Sequence, residues 1–258
     1  MDRLRTTVYL EHLQLHIIHI KMNARELFLR KTLPVFINSF NQYTYLRDLI
    51  ESLVKNKFCN LWILDNNSDY TTLVEYYRRL AIQENAKVNV LFYGENRGPH
   101  YFYFSEIFRT LWNYPHFYTD PDILFECFDT DFAQKFVDIS DRYKVAKVGA
   151  ALTIPAAPNM AEILRPMPET NNIPVSIREW EERFWKTEIE KGVFQAPIDT
   201  TFHYFNPLYY DRNYFYSALR LAGVGFEAIH RPWFKSDSIP REELEYYLLS
   251  RKGHGGWM

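Results

Sequence analysis

Two carboxylates interrupt an apolar stretch of the chain, Phe117-Tyr-Thr-Asp-Pro-Asp-Ile-Leu-Phe125. Residues i and i+2 of an extended strand point to the same side, so Asp120 and Asp122 would face one point. A divalent cation at a nucleotide is typically held by a few carboxylates together with phosphate oxygens. The alternative is a turn that breaks the strand, because Asp and Pro both favour turns. Asp-x-Asp is too short a motif to decide between these interpretations alone.

Upstream of this stretch, short apolar segments alternate with segments of helical periodicity. The predicted strands are residues 33–40, 60–65, 87–93 and 116–119, and the predicted helices are residues 43–55, 71–84 and 102–112. This alternation with short connections predicts an α/β fold, with a mostly parallel central sheet and helices on both faces.

Polar clusters stand where the predicted strands end, at residues 38–41, 65–68, 96–98 and 120–122. Ligands of open α/β sheets bind at the carboxyl ends of the strands. Four polar clusters at one edge of the sheet therefore indicate a shared binding site.

The second half of the chain continues the pattern less regularly. It predicts helices at residues 129–143, 177–191 and 214–222, strands at 147–154 and 202–205, and a strand or turn at 226–230. Residues 155–175 are rich in Pro and Asn, which predicts a flexible loop or lid. With no internal repeat or linker, residues 1–258 are predicted to form a single domain.

Composition limits the function classes. The 258 residues are 47% apolar and carry a formal net charge of −2, which supports a large core and argues against nucleic acid as a partner. Cys59 and Cys127 lie far apart in apolar surroundings, so we expect reduced core thiols of a cytoplasmic protein. No stretch reaches the roughly 18 apolar residues that span a bilayer, and no signal-peptide pattern is present.

Residues 1–30 mix apolar and basic side chains. We interpret them as a structural N-terminal extension. The alternative is a surface that makes peripheral contact with the cytoplasmic face of a membrane.

In order and placement, the polar motifs resemble those of GT-A (Rossmann-like) fold glycosyltransferases, close to the inverting family 2 type. The matching motifs are Ser39-Phe-Asn41, Asp65-Asn-Asn-Ser68, Asn96-Arg-Gly98 and Asp120-Pro-Asp122, and the resemblance covers roughly residues 32–235. Residues 1–30 have no counterpart in the minimal fold. Pro99-His-Tyr-Phe-Tyr103 replaces the small-residue-plus-Asn pattern of the family, a departure that concerns how the donor sugar is held.

The resemblance implies metal-dependent, inverting transfer of a sugar from a nucleotide-diphosphate sugar, with a UDP-sugar favoured. The acceptor would be a hydroxyl of a glycan, glycolipid or glycoprotein, as in polysaccharide biosynthesis, and the flexible loop at residues 155–175 would contact it. The implied ligands of Mn²⁺ or Mg²⁺ are Asp120, Asp122 and His230, and a histidine nitrogen suits Mn²⁺ better. The implied donor-binding residues are Ser39, Phe40, Asn41, Asp65, Asn96, Arg97 and Asp120.

Asp199 resembles the catalytic base of inverting enzymes, which must reach the acceptor hydroxyl. Its alternative role is the cap of a helix or turn, and Asp211 and Glu227 are lesser candidates for the base. For Asp65 the alternative is a strand-end cap that closes on Ser68.

Two other functions stay open at this point. One is a GT-A-like domain that binds a nucleotide or glycan without turnover. The other is a sugar nucleotidyltransferase, which normally carries a glycine-rich, basic phosphate loop near the first strand. Residues 33–41 contain no glycine or basic residue, which disfavours that function.

Overall fold

A computed structural model describes residues 22–82, 87–111, 113–237 and 239–251. Residues 1–21 of the predicted N-terminal extension lie outside the described residues. The strands, in chain order, are β1 (Val35–Ser39), β2 (Leu61–Asp65), β3 (Val88–Phe92), β4 (His116–Thr119), β5 (Ile123–Leu124), β6 (Lys147–Ala150), β7 (Leu164–Met167), β8 (Ile173–Ser176), β9 (Glu188–Glu190), β10 (Val193–Gln195), β11 (His203–Phe205), β12 (Ala218–Leu221) and β13 (Ile229–His230).

In the part of the chain that the structure describes, nine strands form one sheet in the order β3-β2-β1-β4-β11-β6-β12-β10-β9. The first four strands are parallel to one another, and β6 is parallel to β12. Strand β11 runs antiparallel to both of its neighbours, β4 and β6. The predicted fold class is therefore confirmed as α/β with a large, mostly parallel central sheet.

Helices cover both faces of this sheet. The described α-helices are α1 (Ala24–Thr32), α2 (Tyr43–Lys55), α3 (Thr71–Ile82), α4 (Glu106–Leu111), α5 (Phe132–Tyr143), α6 (Ile177–Glu182) and α7 (Arg241–Ser250). Val35 and Ile37 of β1 pack in one core with residues of α2, α3 and α5. Phe36, which points to the opposite face, packs in a second core with Phe102 and Phe108.

Helix α1 is the described part of the predicted N-terminal extension, and it docks onto α5. The Glu26 carboxylate accepts hydrogen bonds from the backbone N–H groups of Ala133 and Gln134 at 2.9 and 2.7 Å. Buried Arg30 pairs with Glu26 and lies over the Phe58 ring. These contacts satisfy donors that the first turn of α5 would otherwise leave open.

The first half of the chain folds close to the prediction. The helix at residues 43–55 and the strand at 116–119 agree with the structure at both ends. The predicted helix 102–112 is instead a 3₁₀ turn, Tyr101–Phe104, followed by α4. Ser105 separates them, because its N–H donates to the Phe102 carbonyl and its hydroxyl accepts from the Phe108 N–H.

Two helix predictions in the second half were wrong. Residues 218–221 form β12, which is buried on both faces and therefore lacks the alternation that marks a strand. The predicted helix 177–191 ends at Glu182 and gives way to a 3₁₀ turn and β9. Gly192 turns β9 into β10 with a φ of +74°, and an added Cβ there would lie 2.9 Å from the Ala222 carbonyl oxygen.

The predicted flexible loop at residues 155–175 contains regular structure. Strands β7 and β8 pair antiparallel. Asn171 and Asn172 form the turn between them with positive φ angles, a conformation that Asn tolerates. Both cysteines are free thiols, as predicted, but neither belongs to the core: Cys59 is partly exposed and Cys127 is exposed.

Helix α7 was not predicted, and it closes one side of the molecule near the carboxyl end of β1. The Glu243 carboxylate accepts from the Thr44 backbone N–H at 2.8 Å and from the Thr44 hydroxyl at 2.6 Å, at the start of α2. The Asn41 amide donates to the Ser250 hydroxyl at 3.0 Å. Among the helices that the structure describes, none has the length and apolarity needed to cross a bilayer.

Candidate active site

A cleft of about 900 Å³ opens at the carboxyl ends of the central strands. Predicted site residues that line it are Phe40, Asn96, Asp120, Asp122, Asp199 and His230. They come from loops after β1, β3 and β4, from the segment before β11, and from β13. The fold therefore brings together at one edge residues that are far apart in the sequence, as expected for an α/β sheet.

Asp120 is held in a fixed orientation at the end of β4. The Thr200 hydroxyl donates to Oδ2 of Asp120, and the Asn38 amide donates to Oδ1 at 3.3 Å. Burial raises the pKa of the Asp120 carboxyl well above its usual range; the charge of Asp122 adds to this, and the hydrogen bond from Thr200 opposes it. The chain turns at residues 121–122, so Asp120 and Asp122 do not stand in one extended strand. The two carboxyl groups are nevertheless close enough for the charge of Asp122 to raise the pKa of Asp120.

Asp122 and His230 are neighbours because β5 pairs antiparallel with β13, with His230 opposite Ile123. The Arg231 backbone N–H donates to the Asp122 carbonyl at 2.9 Å. His230 Nε2 lies 3.5 Å from Oδ2 of Asp122. Burial lowers the pKa of His230, while the carboxylate of Asp122 opposes the shift.

The segment that carries His230 is anchored from outside the cleft. The Arg231 guanidinium pairs with Asp237 at 2.7 Å and with Asp48 at 2.8 Å, and it lies 4.6 Å from the centroid of the Tyr45 ring. Because Asp48 belongs to α2, this network ties β13 to the first half of the sheet. It fixes the position of His230 without using any group inside the cleft.

The oxygen and nitrogen atoms of Asp122 and His230 show how well this pair fits a divalent cation. No group of three or more His, Cys, Asp or Glu side chains in the described ranges is arranged to hold a metal ion. Oδ1 of Asp122 is buried and accepts no hydrogen bond from the described residues. A carboxylate oxygen of this kind beside an imidazole fits a partial ligand set, which phosphate oxygens of a bound ligand would complete.

Asp199 presents an exposed carboxylate at the cleft. Its Oδ1 lies 3.1 Å from Nδ1 of His100, and its side chain is 58% exposed. Its neighbours Ile198 and Thr200 are buried, which holds the backbone on either side. Gly149 of β6 packs against this segment so closely that an added Cβ would lie 2.5 Å from Cδ1 of Ile198.

The lesser candidates for a catalytic base have structural partners. Oδ1 of Asp211 accepts from the Asn213 N–H at 2.9 Å. Oε1 of Glu227 accepts from the Gly223 N–H at 2.9 Å. Neither residue lines the cleft.

Asp65 is a buried cap at the end of β2. Its carboxylate accepts from the Ser68 N–H at 2.9 Å and from the Tyr77 hydroxyl at 2.8 Å. The Tyr77 hydroxyl in turn lies 2.9 Å from the hydroxyl of buried Ser39. Burial raises the pKa of Asp65, and its hydrogen bonds oppose the shift. Neither Asp65 nor Ser39 lines the cleft, so this geometry corresponds to the structural alternative.

Asn41 and Arg97 also lie outside the lining of the cleft. The Asn41 side-chain oxygen accepts from the backbone N–H groups of Asp69 and Tyr70, and its residue adopts a φ of 50°. The Arg97 guanidinium is half exposed, pairs with Glu95 and lies over the Tyr101 ring. Both side chains thus support the loops that border the cleft.

Four residues that line the cleft, Asn38, Gln42, Asn66 and Tyr247, were not predicted as site residues. At one end, the rings of Phe40 and Tyr247 lie 6.4 Å apart between centroids. Nε2 of Gln42 and Nδ2 of Asn96 are buried amide donors with no acceptor among the described residues. Asn66 donates to Oδ1 of Asn38 at 2.6 Å, which positions the amide that contacts Asp120. Asn38 and Asn66 lie inside the predicted polar clusters, whereas Tyr247 lies on the unpredicted α7.

Three arginines, Arg165, Arg183 and Arg220, also line the cleft. Arg220 pairs with buried Glu181 at 2.6 Å, and Arg183 pairs with the exposed Glu169 at 2.7 Å. No periodicity or motif marks these arginines, because three separate elements bring them together.

Comparisons with known proteins give distant structural likeness only. No family model matches the chain, and no curated protein matches it. A mannosyltransferase from Pyrobaculum calidifontis, solved with GDP-Man and Mn²⁺, is 14% identical with a TM-score of 0.37, over 47% of this chain and 35% of its own. GalNAc-T7, solved with UDP, GalNAc and Mn²⁺, is 13% identical with a TM-score of 0.47, over 76% of this chain and 45% of its own. The chain thus spans less than half the length of each of these two proteins.

Proposed function

We propose that this chain is a metal-dependent, inverting glycosyltransferase that moves a sugar from a nucleotide-diphosphate sugar to a hydroxyl of a glycan, glycolipid or glycoprotein. The observation that carries the proposal is the shared cleft. It contains an oxygen of Asp122, beside His230, that is buried and accepts no hydrogen bond from the described residues, and also the exposed carboxylate of Asp199. A cation-binding oxygen and a base in one cleft are the two groups that such a transfer needs.

The nucleotide is expected at the end of the cleft between β1 and α7. Phe40 and Tyr247 offer aromatic faces on which a base can stack. The buried amides of Gln42 and Asn96 are donors in need of acceptors, which the carbonyl oxygens of uracil and the ribose would supply. These groups favour a UDP-sugar as the donor.

Asp122 and His230 would hold Mn²⁺ or Mg²⁺ with Asp120 next to them, and the histidine nitrogen favours Mn²⁺. When bound, the cation supplies Lewis-acid neutralisation of the charge on the departing diphosphate. Thr200 and Asn38 keep the carboxyl group of Asp120 from rotating, so its oxygens would meet a cation at a fixed position.

Asp199 is proposed as the base. Its exposed carboxylate would accept the proton of the acceptor hydroxyl, and Nδ1 of His100 lies 3.1 Å from its Oδ1. The hydroxyl oxygen forms the new bond to the anomeric carbon as the bond to the diphosphate breaks, and the proton ends on Asp199. Attack from the side opposite the leaving group gives inversion at that carbon.

The test is a thermal-shift panel of UDP, GDP, CMP and dTDP, each with and without Mn²⁺. A ligand that binds the folded state raises the melting temperature. We expect a Mn²⁺-dependent rise, largest with UDP, that is lost in Asp122→Asn and kept in the control Asp138→Asn, whose carboxylate lies on the surface. A panel without any Mn²⁺-dependent rise would contradict the proposal.

A further inference from the structure

A second cavity, of about 560 Å³, adjoins the cleft and shares His100 and Tyr216 with it. Its remaining walls are five aromatic side chains and two arginines, Arg109 and Arg212. We infer that this second cavity binds the acceptor and that it takes a saccharide unit carrying a negative charge. The inference rests on the proposed function, because an acceptor is needed only if the cleft transfers a sugar.

The position of the second cavity supports this role. His100 stands where the two spaces meet, and its Nδ1 lies 3.1 Å from the Asp199 carboxylate. A ligand that fills the second cavity and extends past His100 therefore enters the cleft beside the proposed base.

The aromatic walls suit a saccharide ring. Phe104 is 66% exposed and Tyr216 is 55% exposed, so large apolar faces stand in water. Grouped exposed apolar surface of this kind marks a binding groove rather than an ordinary solvated surface. The C–H faces of a sugar ring pack on such aromatic faces, while its hydroxyl groups stay hydrogen-bonded at the edges.

A buried lysine packs against two of the aromatic rings that line the second cavity. Lys147 is 1% exposed, and its Nζ makes no hydrogen bond with any residue that the structure describes. Nζ lies 3.6 Å from the Phe215 ring centroid and 4.7 Å from that of Tyr103. The Tyr103 hydroxyl also bonds to Nε2 of His203 at 2.8 Å. Cation–π contact and this hydrogen bond hold the two rings in place before a ligand arrives.

The charge of the second cavity selects an anion. Arg109 is paired with Glu106, which balances its charge. The exposed Arg212 supplies the remaining positive charge. The neighbouring Asp211 accepts from the Asn213 backbone N–H. A carboxylate or phosphate on the saccharide would form a charge-assisted hydrogen bond with the guanidinium of Arg212.

The experiment compares three probes by ligand-observed NMR titration of the whole chain: methyl glucuronide, methyl glucoside, and methyl glucoside phosphorylated on its primary hydroxyl. We expect at least one charged probe to bind about tenfold more tightly than the neutral one. The two charged probes separate carboxylate from phosphate as the preferred anion. Equal binding of all three, or no binding, would overturn the inference.

Variants locate the binding. Arg212→Gln should reduce the affinity of the charged probe to that of the neutral one, and its control Arg241→Gln, at a 90% exposed side chain, should not. Phe104→Ala should weaken all probes, while Tyr214→Ala, an exposed aromatic that does not line the second cavity, should leave them unchanged. If neither Arg212→Gln nor Phe104→Ala changes the affinity of the charged probe, the probe binds outside the second cavity and the inference is overturned.

Nucleotide binding, measured on the same samples, keeps the two claims separate. Nucleotide binding without saccharide binding overturns the inference and leaves the proposed function standing. Saccharide binding that UDP and Mn²⁺ displace competitively would place the probe in the nucleotide part of the cleft, which also overturns the inference. Saccharide binding at the second cavity without any Mn²⁺-dependent nucleotide binding supports the anionic-saccharide site but contradicts the proposed function.

Discussion

His230 Nε2 lies 3.5 Å from Oδ2 of Asp122, although the two residues come from opposite halves of the chain. The pairing of β13 with β5 produces this contact, and the Arg231 network holds it from outside. The other oxygen of Asp122 stays buried without a hydrogen bond from the described residues. A buried polar atom in that state needs a partner, and a cation is the one that its chemistry favours.

His230→Gln tests whether the imidazole takes part in cation binding. We expect the apparent affinity for Mn²⁺, measured as the concentration that supports nucleotide binding, to weaken at least about tenfold. Preference for Mn²⁺ over Mg²⁺ should fall as well, because a nitrogen ligand is lost. An unchanged Mn²⁺ requirement, with the folded state intact by circular dichroism, would remove His230 from the ligand set.

Asp199→Asn tests the base. Removing a general base lowers turnover by about 10²- to 10⁴-fold, while donor binding should remain as in the wild type. Steady-state transfer and nucleotide affinity are measured on the same preparation. The matched control is Asp211→Asn, whose carboxylate lies outside the cleft and caps a backbone N–H. Equal transfer by Asp199→Asn and the wild type would exclude the assignment.

Gly149→Ala tests how the Asp199 segment is positioned. The new Cβ would lie 2.5 Å from Cδ1 of Ile198 and 2.8 Å from the Phe202 carbonyl oxygen. Overpacking of this kind costs about 1–3 kcal/mol of unfolding free energy. Urea denaturation should show the loss, and turnover should fall more than nucleotide affinity does, because Asp199 moves with Ile198. A fully stable and active variant would mean that the segment shifts without consequence.

Lys147 predicts an unusual dependence of stability on pH. Burial lowers the pKa of its ammonium from 10.5 to about 7, and the charge of Asp199 opposes the shift. Between these two values the unfolded chain binds more protons than the folded one, so the free energy of unfolding rises with pH. The slope contributed by one group is at most about 1.4 kcal/mol per pH unit.

Lys147→Met should therefore stabilise the chain most below pH 7, and the gain should shrink as the pH rises towards 10. Urea titrations of wild type and variant at several pH values measure this difference. Three groups near Lys147 do not titrate in this window: burial lowers the pKa of His116 to about 4 and that of His203 well below its usual value, and it raises that of Tyr103. Lys191→Met, at an exposed position, is the control. A pH-independent difference would show that Lys147 keeps an ordinary pKa.

Much of the fold could be predicted because, in the first half of the chain, the spacing of apolar residues within each segment matches the element that the segment forms. Helix α2 shows apolar residues at helical spacing and is bounded by polar residues, so its prediction agrees at both ends. Strand β12 could not be predicted in the same way. Each of its residues is buried, and a short, fully buried run has no period that separates strand from helix.

The edge of the sheet that forms the site was predictable, but the use of each side chain was not. Asp65 stands at the end of the apolar strand β2, and Asp122 closely follows the apolar strand β4. Their local sequences therefore do not show which carboxylate is structural and which is available to a ligand. Their hydrogen bonds distinguish them. The carboxylate of Asp65 accepts hydrogen bonds from Ser68 and Tyr77, whereas Oδ1 of Asp122 accepts none from the described residues. Such partners depend on tertiary packing, which one sequence does not reveal.

The most direct measurement is release of the nucleoside diphosphate from a panel of nucleotide sugars that includes UDP-glucose, UDP-GlcNAc, UDP-galactose and GDP-mannose. We predict that the wild-type chain releases the nucleotide from at least one of them when Mn²⁺ is present, and that EDTA or Asp122→Asn abolishes the release. If the chain binds a nucleotide with Mn²⁺ but releases none with or without a saccharide acceptor, it is a binding domain without turnover. That result would contradict the assignment as a glycosyltransferase.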